Sequence, residues 1–197
     1  MLAVAAAVFF LIITPGPGVL STAGIGAAYG YRPGLAYVTG LWIGNNVVAA
    51  LVVSGIAAVA LAIPWLRWLL LIGSLGYLLY LAGRIAFAGA AIGFITPKSA
   101  PGVWTGFALQ PINPKAYAVH SALFSGFSFL PGAILAETAI KFLIMNVIWI
   151  PIHLVWLWAG VRVRAMNLSA GTQRMINGGM ALSMVMVVGL AGAAQAR

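Results

Sequence analysis

Apolar residues fall in six long runs rather than in alternating or amphipathic stretches: Met1 to Ala28, Gly34 to Ile63, Trp65 to Ala88, Val103 to Leu130, Ala133 to Val161 and Met175 to Ala196. Each run is roughly 20 to 30 residues, and about 20 apolar residues in a helix span the hydrocarbon core of a bilayer. The runs are too long and too weakly alternating for barrel strands. Turn residues and charges divide them: Tyr31, Arg32 and Pro33, then Pro64, then Gly89 to Gly102, then Pro131 with Gly132, then Arg162 to Arg174. The pattern predicts an all-α polytopic membrane protein of six transmembrane helices, a single transmembrane domain over residues 1–197. Met1 to Ile13 lacks the basic start of a signal peptide and is expected to be the first half of the first membrane helix.

Composition sharpens this reading. The chain is 63% hydrophobic and only 6% charged, against about 25% charged residues in a soluble domain. Its net charge of +9 does not point to nucleic acid, because the basic residues are scattered at the ends of apolar runs and form no stripe along which a phosphate backbone would lie. Arg32, Arg84, Lys98, Arg162, Arg164 and Arg174 follow the odd-numbered runs, while Arg67 and Arg197 lie on the other side. By the positive-inside rule the first group faces the cytoplasm and both termini lie outside.

The chain has no cysteine, two histidines and one acidic residue, Glu137. Thiolate chemistry is excluded, and neither a metal site nor a cofactor is expected. With no paired carboxylates and no histidines at metal-ligand spacing, an enzyme is not expected either.

The first run carries Thr14, Pro15, Gly16, Pro17 and Gly18 at its centre. As a straight helix this run would be about 42 Å long, more than a membrane needs. Pro15 and Pro17 have no N–H for the carbonyls of Leu11 and Ile13, so the helix is expected to break there. Exposed carbonyls at that depth must face protein or a wet cavity. The fourth run repeats the device with Gln110, Pro111, Ile112, Asn113, Pro114 and Lys115. Asn113 is suited to cap a half-helix and Pro114 to be its first residue. Two half-helices then begin near the midplane, each with a positive dipole end. Lys115 adds a full charge at a depth where insertion of a lysine costs about 2.5–3.5 kcal/mol, so these segments are candidates for binding an anionic group such as a carboxylate.

A shift of 98 to 100 residues lays Phe9 on Phe107, Pro15 on Pro114, Pro33 and Gly34 on Pro131 and Gly132, and Asn46 on Asn146. Repeats at residues 1–88 and 103–196 would each hold three helices, which inverts the second relative to the first. The expected architecture is a 3+3 inverted repeat with broken helices one and four, as in many secondary transporters.

These motifs resemble the LysE/RhtB family of amino-acid exporters. The resemblance rests on Thr14, Pro15, Gly16 and Pro17; on Tyr77, Leu78, Leu79, Tyr80, Leu81 and Arg84; on Asn113, Pro114, Lys115 and Ala116; and on Arg174, Asn177 and Gly179. It implies a six-helix exporter of amino acids or their derivatives in a bacterial inner membrane, driven by an ion gradient. Where the family often carries Asn, this chain has Gly18. The substrate is expected to be neutral rather than cationic, because no acid is free at the midplane. The alternative is a structural or channel-forming membrane subunit.

Asn45, Asn46 and Asn146 lie near the centres of runs two and five, placed to meet a substrate or to bond across helices. Glu137 is spaced to pair with Lys141, and it is also the one acid available to carry a coupled proton. His120 and His153 read as hydrogen-bonded interior residues. The spacings Gly26 with Gly30, Gly40 with Gly44, and Gly102 with Gly106 suit either internal packing or a homodimer. Trp65, Trp68, Trp104, Trp156 and Trp158 read as interfacial anchors in the lipid bilayer.

Overall fold

The computed structural model describes residues 1–13, 16–55, 62–86, 100–130 and 132–166, and beyond them 169, 171, 172, 174–176, 178, 179, 182, 185 and 186. Seven helices are continuous there: α1 (Leu2–Ile13), α2 (Pro17–Tyr29), α3 (Tyr31–Val53), α4 (Pro64–Ala86), α5 (Val103–Ile112), α6 (Pro114–Gly126) and α7 (Ile134–Ala165). Among the described residues no strand is present. Thr14, Pro15, Lys98, Pro131 and Asn177, and the side chains of Arg67, Tyr77, Leu78 and Arg84, lie outside what is described, as does most of the sixth run.

The first run is two helices, bent by 52° across the break between Ile13 and Pro17. The fourth run is also two, with Asn113 in extended conformation between them. By length and apolarity α3 and α7 are candidate membrane spans, and the α1–α2 pair, taken as one bent span, is a third. The expected turn at Tyr31, Arg32 and Pro33 lies one residue earlier. Gly30 makes it at φ +88°, a conformation open to glycine at little cost, and Tyr31 to Pro33 form the first turn of α3. The fifth run likewise extends past Val161. Arg162 and Arg164 belong to the last turn of α7, where cations are favoured by the dipole, and Arg164 donates to the carbonyl of Ala28.

Polarity is distributed inside out. Leu135, Leu143, Val147, Val155 and Trp158 stand exposed along α7, while Ser21, Thr22, Asn45, Gln110, Asn113, His120, Lys141 and His153 are buried. A soluble monomer rarely exposes so large an apolar surface. A membrane helix does, and it turns its polar side chains inward.

Two close crossings hold the bundle. A Cβ on Gly40 would strike the Val103 carbonyl, one on Gly106 the Tyr37 carbonyl, and one on Gly44 would lie 2.7 Å from the Phe107 oxygen, so α3 and α5 meet backbone to backbone. At α2 and α7 a Cβ on Gly26 would lie 2.7 Å from the Leu157 oxygen, and one on Gly160 would strike the Ala23 carbonyl. Gly26, Gly40, Gly44 and Gly106 thus serve packing within the chain.

Candidate functional site

The two interrupted helices converge on one cavity of about 50 Å³. Gly16 and Gly18 come to it from the first break, and Gln110, Asn113 and Lys115 from the second. Asn45 enters from α3, His120 from α6, and Trp149 with His153 from α7. Leu11, Ile12, Val19 and Val119 supply apolar wall.

Each break has its own local logic. Gly16, the N-cap of α2, is extended at φ −155° and ψ −179°, a geometry any residue adopts. Its requirement is space. A Cβ there would lie 2.7 Å from Lys115 Cδ and 3.1 Å from Nζ, so the lysine chain lies in the volume the missing side chain leaves. Leu20 N–H donates to the Gly16 carbonyl at 3.0 Å. Pro17 has no N–H, which leaves the amides of Gly18 and Val19 beyond the helix's own ladder. Ser21 Oγ donates to the Pro17 carbonyl at 2.6 Å and Thr22 Oγ1 to the Gly18 carbonyl at 2.8 Å. Tyr37 OH in turn donates to Ser21 Oγ at 2.8 Å, tying this buried turn to α3.

The second break is capped from within. Asn113 Oδ1 accepts from Lys115 N–H at 3.1 Å, and the Asn113 carbonyl accepts from Ala116 N–H at 3.0 Å. The side-chain cap and Pro114 at the first position match the sequence reading, but with both amides engaged this end has no spare backbone donor there for a ligand. Its contribution to the cavity is the Lys115 side chain. Gln110 Oε1 accepts from Asn113 Nδ2 at 3.3 Å, and Tyr117 OH donates to the Pro111 carbonyl at 2.7 Å.

Not all of the sequence candidates gather here. Asn46 and Asn146 lie off the cavity and bond to each other twice, each Nδ2 donating to the other's Oδ1 at 3.0 and 2.9 Å. Trp42 Nε1 adds a bond to Asn146 Oδ1 at 2.6 Å. Glu137 sits at the start of α7, with Oε1 2.8 Å from Lys141 Nζ. Its other oxygen accepts from the amides of Phe129 and Leu130 at 2.9 and 2.6 Å and from Ser128 Oγ at 3.2 Å. That carboxylate fastens the turn after α6 onto α7, and Lys141 Nζ donates to the Phe124 carbonyl near the end of α6 at 3.2 Å.

Several cavity residues escaped the sequence reading as site residues, among them His120, Trp149 and His153. His120 follows from the buried stripe Ala116, Val119, His120 and Leu123 on α6, which has helical spacing and begins one residue after Lys115. Trp149 and His153 are four apart on α7 and stack with ring centroids 3.5 Å apart. A tryptophan at mid-run rather than at an end was the available signal.

Compared with known proteins, residues 9–193 match the family of LysE type translocators. The chain belongs to that family, and with its apolar helices it is a bacterial membrane protein. It is 35% identical over 104 residues to the cysteine/O-acetylserine efflux protein of Salmonella paratyphi A, covering 52% of each chain. To the leucine efflux protein of Enterobacter sp. (strain 638) it is 31% identical over 129 residues, covering 60% of this chain and 59% of that one. The match thus spans about half the length of the cysteine/O-acetylserine relatives. No solved structure matches the chain.

Proposed function

We propose that this chain exports small neutral amino acids or their derivatives across the bacterial inner membrane, as a six-helix secondary transporter built from two inverted three-helix repeats, with both termini outside. The observation that carries this is the meeting of two interrupted helices at one cavity that Lys115 lines. Membership of the translocator family and the efflux names of two relatives support it. In this reading the substrate carboxylate binds at the start of α2, to the amides of Gly18 and Val19 and to the Lys115 ammonium. Asn113 with Pro114 fixes the lysine. The cavity holds about three or four waters, the scale of an α-amino-carboxylate head. Neutral side chains are favoured because Glu137, the chain's one acid, is engaged elsewhere.

The test is counterflow in proteoliposomes with labelled L-cysteine, O-acetyl-L-serine, L-leucine and L-lysine. Accumulation of one or more of the first three is expected. Uptake of none would favour a structural or channel-forming subunit, and uptake of lysine alone would overturn the neutral assignment. The coupled ion in this reading is a proton. The four contacts on Glu137 support a clamp over a proton carrier, and Glu137→Gln in the same vesicles separates the two. Loss of a clamp lowers yield and exchange together, whereas loss of a carrier abolishes pH-driven export alone.

A further inference from the structure

A zwitterion brings an ammonium as well as a carboxylate, and an ammonium offers three N–H donors with no acceptor of its own. Buried unpaired, it is strongly unfavourable. No carboxylate lines the cavity, and Glu137 is held by Lys141 and the α6–α7 turn. Whatever receives a substrate amine here must therefore be a neutral acceptor.

Both histidines are arranged to be one. His153 Nδ1 lies 3.0 Å from the Trp149 carbonyl. A carbonyl only accepts, so Nδ1 carries the proton, and in a neutral ring Nε2 is then a bare lone pair. The ring cannot swing away, because it is stacked on the Trp149 indole at 14° between planes and is buried. Nε2 points toward the first break, 3.4 Å from where a Gly18 Cβ would stand. His120 is fixed in the opposite sense. Its Nε2 lies 3.1 Å from Asn45 Oδ1, which places the proton on Nε2 and leaves Nδ1 as the acceptor. That Nδ1 is buried with no partner among the described residues. A buried polar atom without a partner is rare and destabilising in a resting protein.

We infer that the cavity contains an ammonium subsite made of neutral imidazole, with His153 Nε2 as the direct acceptor and His120 Nδ1 as the second. The Trp149 carbonyl and Asn45 act as positioning groups that hold each ring in the accepting tautomer. This rests on the transport reading above and supplies the other half of the head-group site. Lys115 takes the carboxylate beside Gly16, and His153 takes the amine beside Gly18, two residues further along the same strand of backbone. With no carboxylate on the cavity to offset it, an imidazolium buried there would stand unpaired. Of the elements that line the cavity, α1 and α5 have no titratable side chain, α2 carries Tyr29, and α3 carries Tyr31, Arg32 and Tyr37. Besides the two histidines, α6 carries Lys115 and Tyr117, and α7 carries Glu137, Lys141, Arg162 and Arg164.

The experiment compares matched ligands on the purified full chain in lipid nanodiscs. L-Leucine is paired with 4-methylpentanoate, and L-cysteine with 3-sulfanylpropanoate, each second member lacking only the amine. His153→Met is expected to weaken binding of the amine-bearing member by about tenfold to a hundredfold, the size of one hydrogen bond to a charged group, and to leave the deamino member within about twofold. His153→Gln, whose carboxamide oxygen reaches about as far as Nε2, should restore part of the loss. In wild-type protein with 15N-labelled histidine, the His153 Nε2 resonance should shift on adding the amino acid and stay in place on adding the deamino acid. Equal loss of both ligands in His153→Met, or an Nε2 resonance that ignores the amine, overturns the subsite while leaving the transport reading intact. Binding of neither ligand by wild-type protein overturns both. The resonance experiment uses unmutated protein, so a variant that fails to fold does not remove the test.

Discussion

Lys115 and Gly16 form one unit, because the lysine stem fills the space above a glycine chosen for its absent side chain. Lys115→Met keeps the apolar stem and removes the charge. Substrate affinity should fall by about tenfold to a hundredfold, the value of one charge-assisted hydrogen bond, with folding spared because a half-buried cation is removed. Gly16→Ala should act on the same quantity by another route. Its Cβ would lie 2.7 Å from Lys115 Cδ, and a flexible stem yields more readily than backbone, so affinity should drop while thermal stability changes by less than about 1 kcal/mol. Gly18→Ala meets only an ordinary contact at 3.4 Å from His153 Nε2 and should keep its fold. Isothermal titration with the amino acid found in counterflow checks the first two, and thermal unfolding checks the third. Unchanged affinity in folded Lys115→Met would remove the lysine from the site. At this scale the sequence was informative where chemistry was conspicuous. A lysine in an apolar run and paired prolines announce themselves, whereas His120 and His153 look like interior residues until the partner of each ring nitrogen is known. Asn46 and Asn146 show the converse, two polar residues that bond to each other and to their own helices rather than line the cavity, and which no one-dimensional pattern distinguishes from Asn45.

Helix breaks were legible because proline and asparagine act locally: Pro17 at the start of α2, and Asn113 with Pro114 at the start of α6, set their ends through missing or capped donors. Boundaries set by packing were not. α3 begins at Tyr31 because Gly30 supplies the turn, and α7 continues to Ala165 because its terminal arginines suit the dipole and Arg164 finds the Ala28 carbonyl. Nor did spacing say which glycines meet which helix, since the small-residue signal has the same form for internal and intermolecular crossings. The structure separates glycines by what a side chain would strike. A Cβ at Gly40 or Gly160 would strike backbone of the facing helix, and neither partner can give way, so Gly40→Ala and Gly160→Ala should each destabilise by about 1–3 kcal/mol, the usual range for overpacking. At Gly34 the nearest atom is the end of the Leu157 side chain, which can change rotamer. Gly34→Ala should therefore cost less than either. Thermal unfolding of the purified variants in one detergent gives the order, and a Gly34→Ala protein less stable than Gly40→Ala would contradict the backbone-crossing account.

Across the whole molecule, both close crossings join the two halves of the sequence. α2 lies on α7 through Gly26 and Gly160, and α3 lies on α5 through Gly40, Gly44 and Gly106. The broken helix of each half packs on the long helix of the other. The Asn46–Asn146 pair, separated by 100 residues, bonds reciprocally between corresponding positions of the proposed repeats, as equivalent residues do about a two-fold axis. The cavity also draws residues from both halves, with Gly16, Gly18 and Asn45 from one and Lys115, His120 and His153 from the other. A half on its own would expose the backbone grooves opposite those glycines and leave the polar residues of the cavity facing lipid, which is unfavourable for each unpaired group. Neither half should therefore be stable alone, in contrast to a chain made of two self-contained bundles. If the halves are encoded as separate chains divided between α4 and α5 and co-expressed, they should co-purify, insert together and regain counterflow, while either expressed singly should be degraded or aggregate. A single half that accumulates in the membrane as a protease-resistant, monodisperse species would mean that the interlocked crossings are not what holds the fold, and the substrate site would then have to be sought within one half.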